Sequence, residues 1–161
     1  MEEKRAERLR LLMREMEPYF ASGDLLLLHV NYGYLAFTTK GLHRRYSHAG
    51  NGQWGEVKDL FYFTISFDGE DKDTLEKKGT DLELWCYGDK ERREEASSLY
   101  QGEGLGILYS KKGFDLIYRE NWAPLKEKAS EVEEDTKRME GCLQSFLKQR
   151  LPRLEALLLK R

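Results

Sequence analysis

The last quarter of the chain constrains it most. From Pro124 to Arg150, apolar or small residues fall at Leu125, Ala129, Val132, Thr136, Met139, Leu143 and Phe146. The steps alternate four and three, the spacing that keeps one seam of a helix turned toward a partner. Pro124 suits a first turn, where its missing N–H costs nothing. The pattern predicts a helix about 40 Å long at 1.5 Å per residue. The first twenty residues offer a match. Ala6, Leu9, Met13, Met16 and Phe20 step three, four, three, four, with Leu11 and Leu12 widening the stripe. This predicts a helix over 1–20, kinked or stopped around Glu17 ahead of Pro18.

Between the helices the chain reads as sheet. Leu25 to Val30 is a continuous apolar run, which predicts a strand buried on both faces. Asn31-Tyr32-Gly33 has turn chemistry and Tyr34 to Thr38 returns, so 25–38 is expected to be a β-hairpin. Residues 39–55 are expected to be a long loop. In Leu60 to Phe67, Phe61, Phe63, Ile65 and Phe67 share one face, while Leu60, Tyr62, Thr64 and Ser66 share the other. Leu82, Leu84 and Cys86 alternate in the same way with Glu83, Trp85 and Tyr87. A short helix over 89–100, with Asp89 as N-cap, precedes a second hairpin, 105–110 and 114–119, around Lys111-Lys112-Gly113. The fold class is therefore α+β: a mostly antiparallel sheet of five to six strands over 25–119, covered by the N-terminal helix and by a C-terminal helix and leucine-rich tail over 124–160. At 161 residues, 1–161 is expected to be a single domain.

Composition narrows the function classes. Charged residues make up 35%, too many for a membrane protein, and 12% are aromatic, too many for a disordered one. No run of about 18 apolar residues exists, so no membrane span is expected. The charged N-terminus lacks the apolar core of a signal peptide, which points to the cytoplasm. Cys86 and Cys142 have neither a disulfide framework nor metal-ligand spacing and are expected to be reduced thiols. No cofactor or metal is implied. The net charge of −2 hides an asymmetry: residues 25–55 carry three bases and no acid, whereas residues 56–104 carry fourteen acids and seven bases.

Two segments are candidate binding sites. The first is the acid-free stretch with Lys40, His43, Arg44, Arg45, Tyr46, His48 and Trp54. Arginine binds phosphate bidentately and tyrosine or tryptophan stacks on bases, so RNA or DNA is one expected partner. The bland alternative is a solvated loop paired with the chain's own acidic segments. His43 and His48 as an acid–base pair for RNA cleavage is a lesser reading. A zinc site from His29, His43 and His48 lacks any finger spacing. Glu56-Val57-Lys58 matches the short E-x-K signature of PD-(D/E)xK nucleases, but no acid lies between Asp24 and Glu56 to complete a Mg²⁺ site. That leaves at most a degenerate relative. Asp68-Gly69-Glu70-Asp71-Lys72-Asp73 has calcium-loop composition without the calcium-loop positions. Gly102-Glu103-Gly104-Leu105-Gly106 precedes a strand and so lacks the helix N-terminus that holds phosphate.

The second candidate is the tail, where Leu151, Leu154 and Leu158 form a helical stripe with Leu157 beside it, and Pro152 is expected to kink or restart the helix. Such a stripe either covers the chain's own sheet or docks a protein partner or a second copy. The order helix, strands, helix, two strands, long helix, with Gly104-Leu105-Gly106 leading into the second hairpin, resembles the type III secretion chaperones. That resemblance implies partner binding rather than catalysis. The expectation is a non-enzymatic adaptor or chaperone-like protein presenting a helical surface, with accessory nucleic-acid binding through 40–54 as the alternative.

Overall fold

The computed structural model describes residues 2–31, 33–48, 58–66, 80–122 and 129–160; the side chains of 2–5, 47, 48, 58 and 129–135 are also outside the description. Its architecture is α+β. The strands are β1 (Leu25–Val30), β2 (Tyr34–Thr39), β3 (Ser47–His48), β4 (Lys58–Asp59), β5 (Phe61–Ser66), β6 (Asp81–Tyr87), β7 (Tyr109–Lys111) and β8 (Phe114–Asn121). Six of them form one sheet in the order β1-β2-β5-β6-β8-β7, and β3 and β4 pair separately. Every pairing is antiparallel. The helices are α1 (Glu2–Ser22), α2 (Lys40–Tyr46), α3 (Lys90–Tyr100), α4 (Ala129–Ser145) and α5 (Leu151–Leu159). None among the described residues is long and apolar enough to cross a membrane.

Period-two alternation decides the core. Leu35, Phe37, Phe61, Phe63, Ile65, Leu82, Leu84 and Cys86 lie side by side in register on one face, and all are fully buried. Leu12 and Met16 of α1, Tyr100 of α3, Met139 and Leu143 of α4, and Leu158 of α5 close over them. Burying one such side chain contributes about 1.5–3 kcal/mol, so this layer is the main source of stability. Rings lock the layer: Phe37 stacks on Phe63 at 5.3 Å, and Phe146 meets Phe63 edge-on at 5.7 Å.

Several expectations need correction. Pro18 neither kinks α1 to a stop nor ends it, since the helix runs on to Ser22. Nor does α1 bury the 6-9-13-16-20 seam. Its buried positions are Arg8, Leu11, Leu12 and Met16, with Leu9, Met13 and Phe20 on the flank. A helix lying on a sheet buries a broad stripe, and the broader pair Leu11–Leu12 sets its rotation. Buried Arg8 donates to the Thr80 hydroxyl. α1 also lies beside α4, where Gln144 Nε2 donates to Glu15 Oε2 at 2.8 Å.

The run Leu25–Val30 is not buried on both faces. It is an edge strand, buried at Leu25 and exposed from Leu27 onward. The expected loop 39–55 begins as a helix, because Thr39 Oγ1 accepts the Leu42 N–H at 3.1 Å and caps it. A helix of seven residues cannot stand alone; α2 is held by packing on α5. A Cβ on Gly41 would sit 3.1 Å from Leu159 Cδ1, so any larger residue here would make the Leu159 side chain shift by a few tenths of an ångström. Residues 49–57 and 67–79, with Trp54, Glu56 and most of the acidic connection, lie outside the described residues, as does the helix start expected at Pro124.

The C-terminal helix is not of one kind throughout. Phe146–Arg150 is a π turn, closed by the Leu151 N–H on the Phe146 carbonyl. α5 follows directly, with Pro152 in its first turn, where proline is tolerated. Thr136 is half-buried, and Met139, Leu143 and Phe146 face the core as their spacing predicts.

Candidate binding site on the open sheet face

The described residues of the two expected sites divide between core and surface. Leu151, Leu154 and Leu158 are buried in the chain's own core, and only Leu157 remains half-buried. In α2, Lys40, Arg44 and Arg45 are exposed. His43 and Tyr46 turn inward. His43 Nδ1 pairs with buried Asp59 Oδ1 at 2.7 Å. The Tyr46 hydroxyl donates to the Leu158 carbonyl at 2.7 Å, its ring meets Phe61 edge-on at 5.1 Å, and its own carbonyl accepts from Arg92. The tyrosine expected as a stacking platform is thus a structural pin between α2 and α5. The side chain of His48 and all of Trp54 lie outside the described residues. Among the described residues no group of three or more His, Cys, Asp or Glu side chains converges on a metal position.

The face of the sheet turned away from the helices is a different matter. The alternation that sends Phe61, Phe63 and Ile65 into the core sends Tyr62, Thr64 and Ser66 out. On β6 it sends out Glu83, Trp85 and Tyr87, and register brings Tyr62 opposite Trp85 and Tyr87 opposite Phe114. These residues, with Leu28, His29, Tyr34, Ala36 and Asp59, line an open groove of about 560 Å³. Trp85 and Phe114 meet edge-on at 6.3 Å, and Tyr87 tilts against Phe114 at 4.7 Å. At the other end His29 and Tyr34 lie 5.3 Å apart. Trp85 Nε1 donates to Thr64 Oγ1 at 3.2 Å, fixing the indole on the floor.

Among the described residues the groove's lining contains Asp59 and Glu83 and no lysine or arginine; Asp59 is paired with His43, and Glu83 stands opposite Arg119 in register. Burial, then the neighbours Tyr34, Tyr87 and Glu83, push the Tyr62 phenol well above its ordinary value. It is therefore a hydroxyl at physiological pH. Such a surface suits apolar and hydrogen-bonding groups. Past Tyr87 and Phe114 a second recess of about 510 Å³ opens, edged by Gly88, Asp89, Arg92, Lys112 and Gly113.

A polar hub secures the sheet from behind. Glu120 accepts from the Tyr118 hydroxyl at 2.6 Å, Trp122 Nε1 at 3.0 Å and Arg150 Nε at 2.6 Å. Burial raises this carboxyl, but the bonds from Arg150, Tyr118 and Trp122 outweigh it and hold the group below its usual value. The hub ties β8 to the π turn.

Compared with family models, curated proteins and solved structures, the chain matches none. The resemblance to type III secretion chaperones is therefore one of element order, and carries no argument about this chain. Sequence reasoning placed Tyr62, Trp85 and Tyr87 on one face of their strands but missed the groove. The available signal was the aromatic character of a face that simple patterning reserves for charged residues.

Proposed function

We propose that the chain is a non-enzymatic binding or assembly protein that seats a segment of a protein partner on the open face of its sheet. One observation carries the reading. Tyr34, Tyr62, Trp85, Tyr87 and Phe114 line the solvent side of a sheet whose other side is already filled by helices. Aromatic side chains offer large, rigid contact area at low entropic cost, and they concentrate where proteins bind one another. The aromatic lining favours a segment with apolar side chains.

Panning a random peptide library against the wild-type chain tests this. Enriched peptides of apolar composition should bind, and Trp85→Ala or Phe114→Ala should weaken them at least tenfold. Peptides that bind both variants as well as the wild type would place the site elsewhere and end the reading.

A second reading rests on α2, whose exposed Lys40, Arg44 and Arg45 are available to phosphates. Accessory nucleic-acid binding at α2 would then be electrostatic, since Tyr46 is committed to the core. Arg44→Ala with Arg45→Ala should weaken binding of a single-stranded oligonucleotide and flatten its salt dependence. Absence of binding by the wild type at low salt would remove this alternative.

A further inference from the structure

β1 closes one side of the sheet and, among the described residues, no strand pairs with its outer edge. The hairpin ladder shows which backbone groups that edge presents. The Asn31 N–H bonds the Tyr34 carbonyl at 3.0 Å, and the Lys40 N–H bonds the Asp24 carbonyl at 3.0 Å. Alternation from those two ends turns the backbone N–H and C=O of Leu25, Leu27 and Val30 outward. A register shift between Leu27 and His29 adds one residue, which lets positions three apart face the same way. The side chains follow. Leu27 pairs with Phe37 and Val30 with Leu35, both core residues, so Leu27 and Val30 lie at the unfinished margin of the core. Leu27 is 40% exposed, and Leu28 and Val30 are 39% exposed.

Proteins ordinarily blunt such an edge with lysine, proline or an inward charge. Here no charged residue and no proline occurs from Leu25 to Thr39. In a chain that is 35% charged, fifteen such residues leave two copies free to meet without like-charge repulsion. We propose that β1 pairs antiparallel with β1 of a second copy about a two-fold axis. The arrangement is self-complementary. Leu27 of each copy faces Val30 of the other, and both residues supply outward backbone groups, so each bond is repeated by symmetry. The opposite edge does not compete. β7 is only three residues long and ends at Lys111, followed by Lys112, so it offers few bonds and places charge against the apolar margin of β1. Pairing of β1 with β1 therefore closes at two copies instead of growing into a filament. It joins the two sheets into one of twelve strands and sets the two open grooves on a single continuous face.

Light scattering coupled to size exclusion tests this, at about 100 µM, a concentration that populates a dimer of micromolar Kd. The wild type should show twice the chain mass. Leu27→Lys with Val30→Lys should halve that mass while circular dichroism and cooperative melting persist. Leu27→Pro should do the same, because it deletes only an N–H that the chain's own ladder does not use. Independently of any loss of fold, Leu27→Cys with Val30→Cys in a Cys142→Ser background should give a covalent dimer on mild oxidation. Each cysteine alone should give far less. A monomeric wild type, a polymer, or a dimer indifferent to all three changes would overturn the proposal. So would a monomer that instead takes up an added strand peptide on β1.

Discussion

Replacing Leu158 by alanine separates a core residue from a docking residue. Leu158 is fully buried between the sheet and α2, and its carbonyl is pinned by Tyr46. Truncation leaves a cavity in a core whose members are fully buried. Leucine-to-alanine changes at such sites cost about 2–5 kcal/mol, and about 3 kcal/mol is a fair central value here. For a chain of this length each kcal/mol lowers the melting temperature by about 2–4 °C, which makes the expected drop about 6–12 °C. Leu157→Ala is the internal control: the residue is half-buried, and its loss should cost about 1 kcal/mol or less. The assay is thermal unfolding followed by circular dichroism, checked by urea titration. Equal melting temperatures for the two variants would refute the reasoning. They would mean that the leucine tail is not committed to the core and that its stripe is available to a partner.

Three further outcomes follow from the same packing. Glu120→Gln should cost about 1–3 kcal/mol, since a carboxylate accepting three bonds is lost, with the part due to half-exposed Arg150 discounted for solvent screening. The native Glu120 carboxyl is held low, so its contribution is present above the ordinary glutamate value near pH 4.3 and lost as pH falls through the folded value. Urea midpoints taken from pH 6 downward should therefore fall more steeply for the wild type than for the variant. Burial first, and then Asp115, push the Cys86 thiol up to about 12. Native Cys86 should resist a thiol reagent at pH 8 while Cys142 reacts, and mass spectrometry of the labelled peptides would show the order. Tyr46→Phe should cost about 1 kcal/mol through the lost bond to Leu158, read as a shifted urea midpoint, and should leave peptide binding on the open face unchanged.

Much of the fold was legible because period and capping are local. β5 and β6 announce themselves by alternation, and Asp89 does cap α3, with its carboxylate accepting the Arg92 N–H at 2.8 Å. The six-stranded antiparallel sheet with helices on one face agrees with the expected class. What escaped was set by neighbours. A run such as Leu25–Val30 has the composition of an interior strand, and nothing within it says that one side has no partner. α2 contains a glycine and too few residues to hold a helix by itself, so its helicity comes from Thr39 and α5, elements that the local pattern does not include. The groove was half legible. Tyr62, Trp85 and Tyr87 were assigned to one face, but register with Phe114 and Tyr34, which makes them a surface, depends on strand order.

The π turn at Phe146–Arg150 is a correction of angular phase. Continued from Phe146 by steps of four and three, an unbroken α-helix would next face inward at Arg150 and Arg153, both charged. The apolar series resumes one residue late, at Leu151, Leu154 and Leu158. One residue corresponds to about 100° of rotation, and a π turn is the local way to accommodate one residue too many. The spare residue therefore returns both halves of the helix to the same side. Deleting one residue between Leu147 and Arg150 would remove the spare residue and the π turn together, and a plain α-helix would then bring Leu154 and Leu158 to the sheet on unbroken steps of four and three. What this stretch preserves is the facing of its leucines.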